Sequence, residues 1–269
     1  MDGSTKAREP HPNKEAATPS AVRGNPQKVV HRANNPATLK NIVTKAQTLL
    51  LNKRTDLNGL RPRPEHGHDL WIATWNVLSL YRAGALARLV EELAKYNITI
   101  AALQEIRWKS SDTLKTKDYT IFYSNKDKNT LGTGFAVSHK IIDKVIGFRP
   151  ENERLCSMRI RGKLFNITFI NAHAPTEDSE ECDKESFYEN LEKLYDHAPR
   201  HDVKIVLGDF NAKIGKEKAF RPTIGKESLH EESNNNGTRL IDFATGKGMS
   251  ISSTKFPTQK HPQNYMDIT

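Results

Sequence analysis

Four short polar clusters, Thr74-Trp75-Asn76, Gln104-Glu105, Asn171-Ala172-His173-Ala174-Pro175 and Gly208-Asp209-Phe210-Asn211, each follow directly on an apolar stretch that reads as a strand. A side chain at a strand end is held by the sheet yet stays accessible at its rim, where functional groups tend to collect. The residue types are ones that handle charge. The carboxylates of Glu105 and Asp209 can hold a hard cation or take up a proton, the amides of Asn76 and Asn211 can donate without adding negative charge, and the imidazole of His173 can do proton work. Taken singly, each cluster also has a structural explanation. Asn76 could cap a turn, Glu105 could be a solvated strand end, His173 a satisfied core histidine, and Gly208-Asp209 a turn.

The elements that must position these groups follow from the spacing of apolar residues. Leu70 to Val77 reads as a buried strand, with a turn at Ser79 to Ala83. Leu86, Leu89, Val90 and Leu93 then form a stripe on a helix ending near Tyr96, and Ile98 to Leu103 is the next strand. This strand-helix-strand order predicts a parallel pair covered by the helix. Tyr119 to Tyr123, Gly134 to Ser138, Ile141 to Phe148, Leu155 to Ile160 and Leu164 to Asn171 read as strands joined by turn residues, hence antiparallel hairpins. A second helix carries Phe187, Leu191, Leu194, Tyr195 and Ala198, the strand Val203 to Leu207 follows, and a third helix spans Thr238 to Thr245. Such a mixture predicts one α/β (α+β) domain, a sheet sandwich with helices outside.

Composition sets the boundaries. The chain has 269 residues and a formal net charge of +9, and residues 1–68 carry 12 of the 41 Lys and Arg against 5 of the 32 Asp and Glu, with 7 of the 13 prolines. That segment buries too little to offset its ordering entropy and is read as a basic, largely disordered arm, with only a transient helix over 36–51. Its charge is compatible with contact to phosphates, with nuclear import or with no specific role. The folded domain is expected over 69–269. No apolar run reaches the roughly 18 residues a membrane helix needs, so no membrane partner is expected. No secretory signal is evident, and Cys156 and Cys182 are too few for a disulfide framework, which predicts an intracellular, and with the basic arm a nuclear, protein. Neither cysteine is assigned a role.

The order of the clusters, followed by Asn234-Asn235-Asn236-Gly237 ahead of a helix, resembles the endonuclease/exonuclease/phosphatase superfamily. The spelling is similar in particular to the endonuclease domain of RTE-type non-LTR retrotransposons and to host proteins of the craniofacial development protein 2 type. It rests on Thr74-Trp75-Asn76-Val77, Ser79-Leu80-Tyr81-Arg82, Ala101 to Trp108 (A-A-L-Q-E-I-R-W), Gly132-Thr133-Gly134 and Asn171 to Asp178 (N-A-H-A-P-T-E-D), and covers roughly residues 69 to 257. The resemblance implies a four-layer α/β/β/α sandwich of the DNase-like type with its active site at the strand ends.

It implies, further, hydrolysis of a phosphodiester in DNA with Mg²⁺, or Mn²⁺, since a hard divalent ion suits both the attacking water and the leaving oxygen. Glu105 would anchor the ion, with Asn76 orienting a water or phosphate oxygen beside it. Asp209 would align or deprotonate the water, Asn211 would donate to the phosphate, and His173, at a position where apurinic-type relatives have tyrosine, would either donate to the phosphate or serve the structure. Arg82, Arg107 and Lys109 would position the nucleic-acid backbone, and Trp108 would stack on a base or pack under its loop.

Members of the family finish with a late-strand aspartate and a terminal Asp-His pair. Beyond Ser253-Thr254-Lys255-Phe256-Pro257 this sequence leaves that course, so a domain lacking its last segment, with hydrolysis weakened or lost, is expected. Asn264-Tyr265-Met266-Asp267 echoes the late-strand motif at the wrong spacing, and Asp267 is read as an accident rather than a second metal ligand. The alternatives to a nuclease are a non-catalytic nucleic-acid-binding or protein-interaction remnant and a phosphatase acting on a lipid or small phosphate ester, against which the retrotransposon-like spelling argues. The acidic runs Glu177 to Glu181 and Glu227 to Glu232 read as solvated loops.

Overall fold

The structure, a computed structural model, describes residues 70–126 and 129–256. The arm over 1–68, the helix over 36–51 and Asp267 lie outside the described residues.

Nine strands form two sheets. The first contains β1 (Ile72–Asn76), β2 (Ile100–Gln104), β3 (Asp112–Lys115), β4 (Tyr119–Ser124) and β5 (Thr133–Ser138), in the order β1-β2-β5-β4-β3. The second contains β6 (Val145–Pro150), β7 (Leu155–Ile160), β8 (Ile167–His173) and β9 (Val203–Asp209), in that order. The predicted parallel pair is β1 with β2, Ile72 opposite Ile100 and Asn76 opposite Gln104. A second parallel pair, β8 with β9, sets His173 opposite Asp209. The remaining ladders are antiparallel.

Side chains alternate across each strand, and the two faces of each sheet sort accordingly. Ile72, Ile100, Ala102, Phe135 and Val137 of the first sheet meet Met158, Ile160, Phe169 and Leu207 of the second in a core between the sheets. On the far side of the first sheet, Ala73, Trp75, Ala101 and Leu103 pack against Leu89 and Leu93 of α1 (Ala85–Lys95). On the far side of the second, Leu155, Ile170 and Ala172 pack against Phe187, Leu191 and Leu194 of α2 (Glu181–His197) and Phe243 of α3 (Asn235–Gly246). Four layers result, as expected. Each fully buried Leu, Ile or Phe contributes about 1.5–3 kcal/mol.

Helix α1 shows how the sequence ends an element where the site needs a strand. Asn97 takes the left-handed conformation (φ 51°), its N–H donates to the Ala94 carbonyl, and the Ile98 N–H donates to that of Leu93 (2.9 Å), a Schellman closure. The chain then turns directly into β2.

Two sequence expectations are corrected and one element was missed. Ile141 to Phe148 is not one strand: His139–Lys144 is a 3₁₀ helix with only Ile141 buried, and β6 begins at Val145. The strand expected from Leu164 starts at Ile167, because Leu164 and Phe165 sit at the hairpin turn, 84% and 62% exposed. The edge strand β3 escapes the sequence reading because all four of its residues are exposed and carry no alternation.

Candidate functional site

The polar clusters continue the pattern that builds the inter-sheet core. Asn76 lies on β1 in phase with Ile72, Gln104 on β2 in phase with Ile100 and Ala102, His173 and Asn171 on β8 in phase with Phe169, and Asp209 on β9 in phase with Ile205 and Leu207. A period of two therefore aims all five into the gap between the sheets, two or four residues beyond the last apolar residue of the same face.

At the centre, the Asn76 side-chain amide donates to both carboxylates: Nδ2 lies 2.9 Å from Glu105 Oε1 and 3.0 Å from Asp209 Oδ2. Asp209 comes from the other sheet, 133 residues away. The two oxygens are thus at most about 6 Å apart. Glu105 sits just past the end of β2 in the left-handed region (φ 56°), a conformation that is uncommon and strained for a non-glycine residue. Its second oxygen, Oε2, accepts from Arg107 Nη2 at 2.5 Å.

His173 is buried behind this pair, its Nε2 3.8 Å from Glu105 Oε1, too long for a direct hydrogen bond. Burial pushes its pKa below the ordinary value of 6.5, while Asp209 and then Glu105 pull it back upward. Burial thus favours the neutral imidazole. Arg154 fixes the local backbone by donating to the His173 carbonyl (3.1 Å) and accepting its N–H (2.9 Å). His173 Nδ1 and Arg107 Nε are both buried and unpaired, so the surroundings of Glu105 hold two polar groups that the described residues do not satisfy.

Asn211 takes a left-handed conformation (φ 47°), and its N–H donates to Asp209 Oδ1 at 3.1 Å. Its side-chain amide donates to the Ala174 carbonyl at 2.9 Å, which turns it toward the β8 end of the site with one N–H already committed.

The residues expected to bind nucleic acid separate into two groups. Arg82 and Lys109 are exposed. Arg107 instead faces inward on Glu105, and Trp108 is half-buried, its indole N–H spent on the Leu80 carbonyl (3.2 Å) and its ring edge-on to Tyr123 at 5.0 Å. Of the two roles open to Trp108, the packing one is visible.

Sequence reasoning missed two supports of the site. Asn171, fully buried, ties the sheets together: its Oδ1 accepts from Gln104 Nε2 at 2.6 Å, and its Nδ2 donates to the Leu103 and Gly134 carbonyls at 2.8 Å each. Gln104 in turn reaches Thr74 Oγ1 at 3.1 Å. Glu177, expected in a solvated loop, is corrected: its carboxylate accepts from Asn234 Nδ2 (2.7 Å) and from the N–H groups of Asn235 (3.0 Å) and Asn236 (3.1 Å), capping α3. Buried Asn236 then donates to the carbonyls of Pro175 and Asn211. Only the unassigned run Asn234-Asn235-Asn236 before a helical pattern signals this in the sequence.

Among the described residues, no cluster of three or more His, Cys, Asp or Glu side chains forms a cage for a metal ion, and no helix is long and apolar enough to cross a membrane. A pair of carboxylates within about 6 Å is nevertheless a donor set of the kind Mg²⁺ uses, since that ion keeps several waters.

The pattern of the endonuclease/exonuclease/phosphatase family matches residues 73–264. Craniofacial development protein 2 of Tragulus javanicus and that of Bos taurus are each 34% identical over 186 residues, which is 69% of this chain but 32% and 31% of theirs. The chain thus spans about a third of the length of these relatives. Among solved structures, the endonuclease domain of TRAS1, a telomere-specific non-LTR retrotransposon, superposes with a TM-score of 0.45 at 17% identity over 66% of this chain and 71% of that one. The AP endonuclease LMAP from Leishmania major gives 0.45 at 14% identity over 77% and 73%.

Proposed function

The chain belongs to the endonuclease/exonuclease/phosphatase family, and from that premise we propose that it hydrolyses phosphodiester bonds in DNA with a divalent cation, Mg²⁺ or Mn²⁺. The observation that carries the reading is the single amide of Asn76 joined to Glu105 and Asp209 across two sheets. An acidic pair built on rigid strands and locked by a neutral donor is suited to hold a cation beside an anionic phosphate. Glu105 and Asn76 would hold the ion, which supplies charge stabilisation at the phosphate and at the leaving oxygen.

The chain's own groups account for the rest. Asp209, both of whose oxygens are fixed by Asn76 and the Asn211 backbone, aligns a water and accepts its proton. Asn211 offers its remaining N–H to a phosphate oxygen, and neutral His173 donates there without holding a fixed positive charge. The unpaired Arg107 Nε and His173 Nδ1 support a site completed by a polar ligand. Arg82 and Lys109 at the rim contribute to a nucleic-acid surface, together with the basic residues of 1–68. Hydrolysis is proposed to be weak, because among the described residues only one imidazole, that of His173, lies beside the two carboxylates, 3.8 Å from Glu105 and without a direct hydrogen bond to it. A nuclear location belongs to the same proposal and is tested by imaging the tagged chain.

One observation favours a second reading, a non-catalytic nucleic-acid binder: Arg107 already occupies Oε2 of Glu105, in competition with a cation. A plasmid-nicking assay with Mg²⁺ decides between them. Nicking by the chain that is lost in Glu105→Ala supports hydrolysis. Equal behaviour of chain and variant, with DNA still bound, supports the binder.

A further inference from the structure

The loop after β1 carries two large side chains that the fold does not use. Tyr81 is 69% exposed and Leu78 42% exposed. Tyr81 makes no ring-to-ring contact among the described residues. The loop is nevertheless held firmly. The Leu78 N–H donates to Asn76 Oδ1 (3.2 Å), the Ser79 N–H to the Glu105 carbonyl (2.8 Å), the Leu80 N–H to the Ile106 carbonyl (3.0 Å), and the Tyr81 N–H to Ser79 Oγ (3.1 Å). Leu80 is buried in the core and its carbonyl is tied to Trp108.

Two consecutive non-glycine residues, Leu78 (φ 52°) and Ser79 (φ 99°), stand in the left-handed region to make this path. Strain of that kind persists only where surrounding contacts over-determine it. Here the result is a firmly held backbone that presents two large side chains, Leu78 and Tyr81, to solvent two and five residues beyond the amide that joins Glu105 and Asp209, with exposed Arg82 next in the chain and exposed Lys109 one residue past Trp108. A rigid aromatic face beside cations is the arrangement by which single-stranded nucleic acid is held, the bases stacking while the charges follow the backbone.

We infer that Leu78 and Tyr81 form a subsite that stacks an unpaired nucleobase flanking the phosphate held at the Glu105–Asp209 pair. The inference rests on the nucleic-acid reading above and deepens it: the substrate is a strand with bases, not a lipid headgroup or a small phosphate ester.

The test uses the full chain without divalent cation, so that no cleavage intervenes, and single-stranded oligonucleotides carrying 2-aminopurine. A second strand keeps the phosphates but replaces every base by a propyl spacer. Wild type should quench the 2-aminopurine on binding. Tyr81→Ala should bind the base-bearing strand about tenfold more weakly and lose the quench, Tyr81→Trp should restore both, and wild type and Tyr81→Ala should bind the spacer strand alike. The inference is overturned if wild type does not bind the base-bearing strand, if Tyr81→Ala binds it as tightly as wild type, or if the loss is equal on the spacer strand. Far-ultraviolet circular dichroism checks that the variants are folded. Because no hydrolysis is read, failure of the nicking assay and failure of the stacking assay are separate results.

Discussion

Replacing Asn171 by leucine keeps the branching of the side chain, with two somewhat larger methyl groups in place of the amide atoms, but removes every hydrogen bond that Asn171 makes between the sheets. Gln104 Nε2 loses its 2.6 Å acceptor and keeps only Thr74 Oγ1, and the carbonyls of Leu103 and Gly134 each lose a 2.8 Å donor. Asn171 and Gln104 are 0% and 1% exposed, so water cannot take over. A buried donor left unpaired costs about 1–3 kcal/mol, and each carbonyl, which has a second lone pair, costs less. The sum is about 3–4 kcal/mol, or roughly 6–16 °C in Tm for a domain of this size. Urea denaturation should show a lower midpoint with an unchanged slope. Adding Gln104→Leu removes the stranded donor, so the double variant should be less destabilised than the two single losses added together. A loss below about 1 kcal/mol for Asn171→Leu, or strict additivity in the cycle, would refute the claim that this bridge joins the sheets.

Gly208 stands at φ +146°, and a Cβ there would fall 1.9 Å from the Ala172 carbonyl oxygen on the neighbouring strand, so Gly208→Ala should fail to fold or should melt far below wild type. A wild-type melting curve would contradict that geometry. Cys156 is fully buried, which pushes its thiol up to about 12, whereas Cys182 is exposed. Iodoacetamide at pH 8 should therefore alkylate one cysteine of the native chain and both after unfolding, with peptide mapping finding Cys182 alone in the native sample. Arg82→Ala and Lys109→Ala should each lower the slope of log K for DNA against log salt by about 0.7–0.9 if they neutralise phosphates, and an unchanged slope removes them from the interface.

The positions of Asn76, His173 and Asp209 at strand ends were legible because each continues, at a spacing of two, a series of residues facing the core between the sheets, whereas Glu105, one residue past Gln104, was legible only as the polar residue at which β2 stops. Ile205 and Leu207 point to Asp209 as surely as Phe169 points to His173. Their convergence was not legible from any one strand, since Asn76 meets Asp209 across 133 residues and only the packing of the two sheets brings them together. The Asn171 bridge was hidden for the same reason, its partner Gln104 lying 67 residues away. Glu177 was misassigned because a carboxylate in an acidic run looks solvated until the start of α3, at least 57 residues on, is placed against it. Leu164 and Phe165 misled in the opposite sense: an apolar pair adjoining a strand extends its pattern even when the chain is already turning.

That one amide touches a carboxylate from each sheet makes the aperture of the pocket a property of the whole sandwich. Phe135 and Phe169, deep between the sheets, act as spacers for groups they never meet. A smaller residue at either place would let the layers settle together and narrow the gap between Glu105 and Asp209, so the calibre of the candidate site is written partly in the oily interior beneath it.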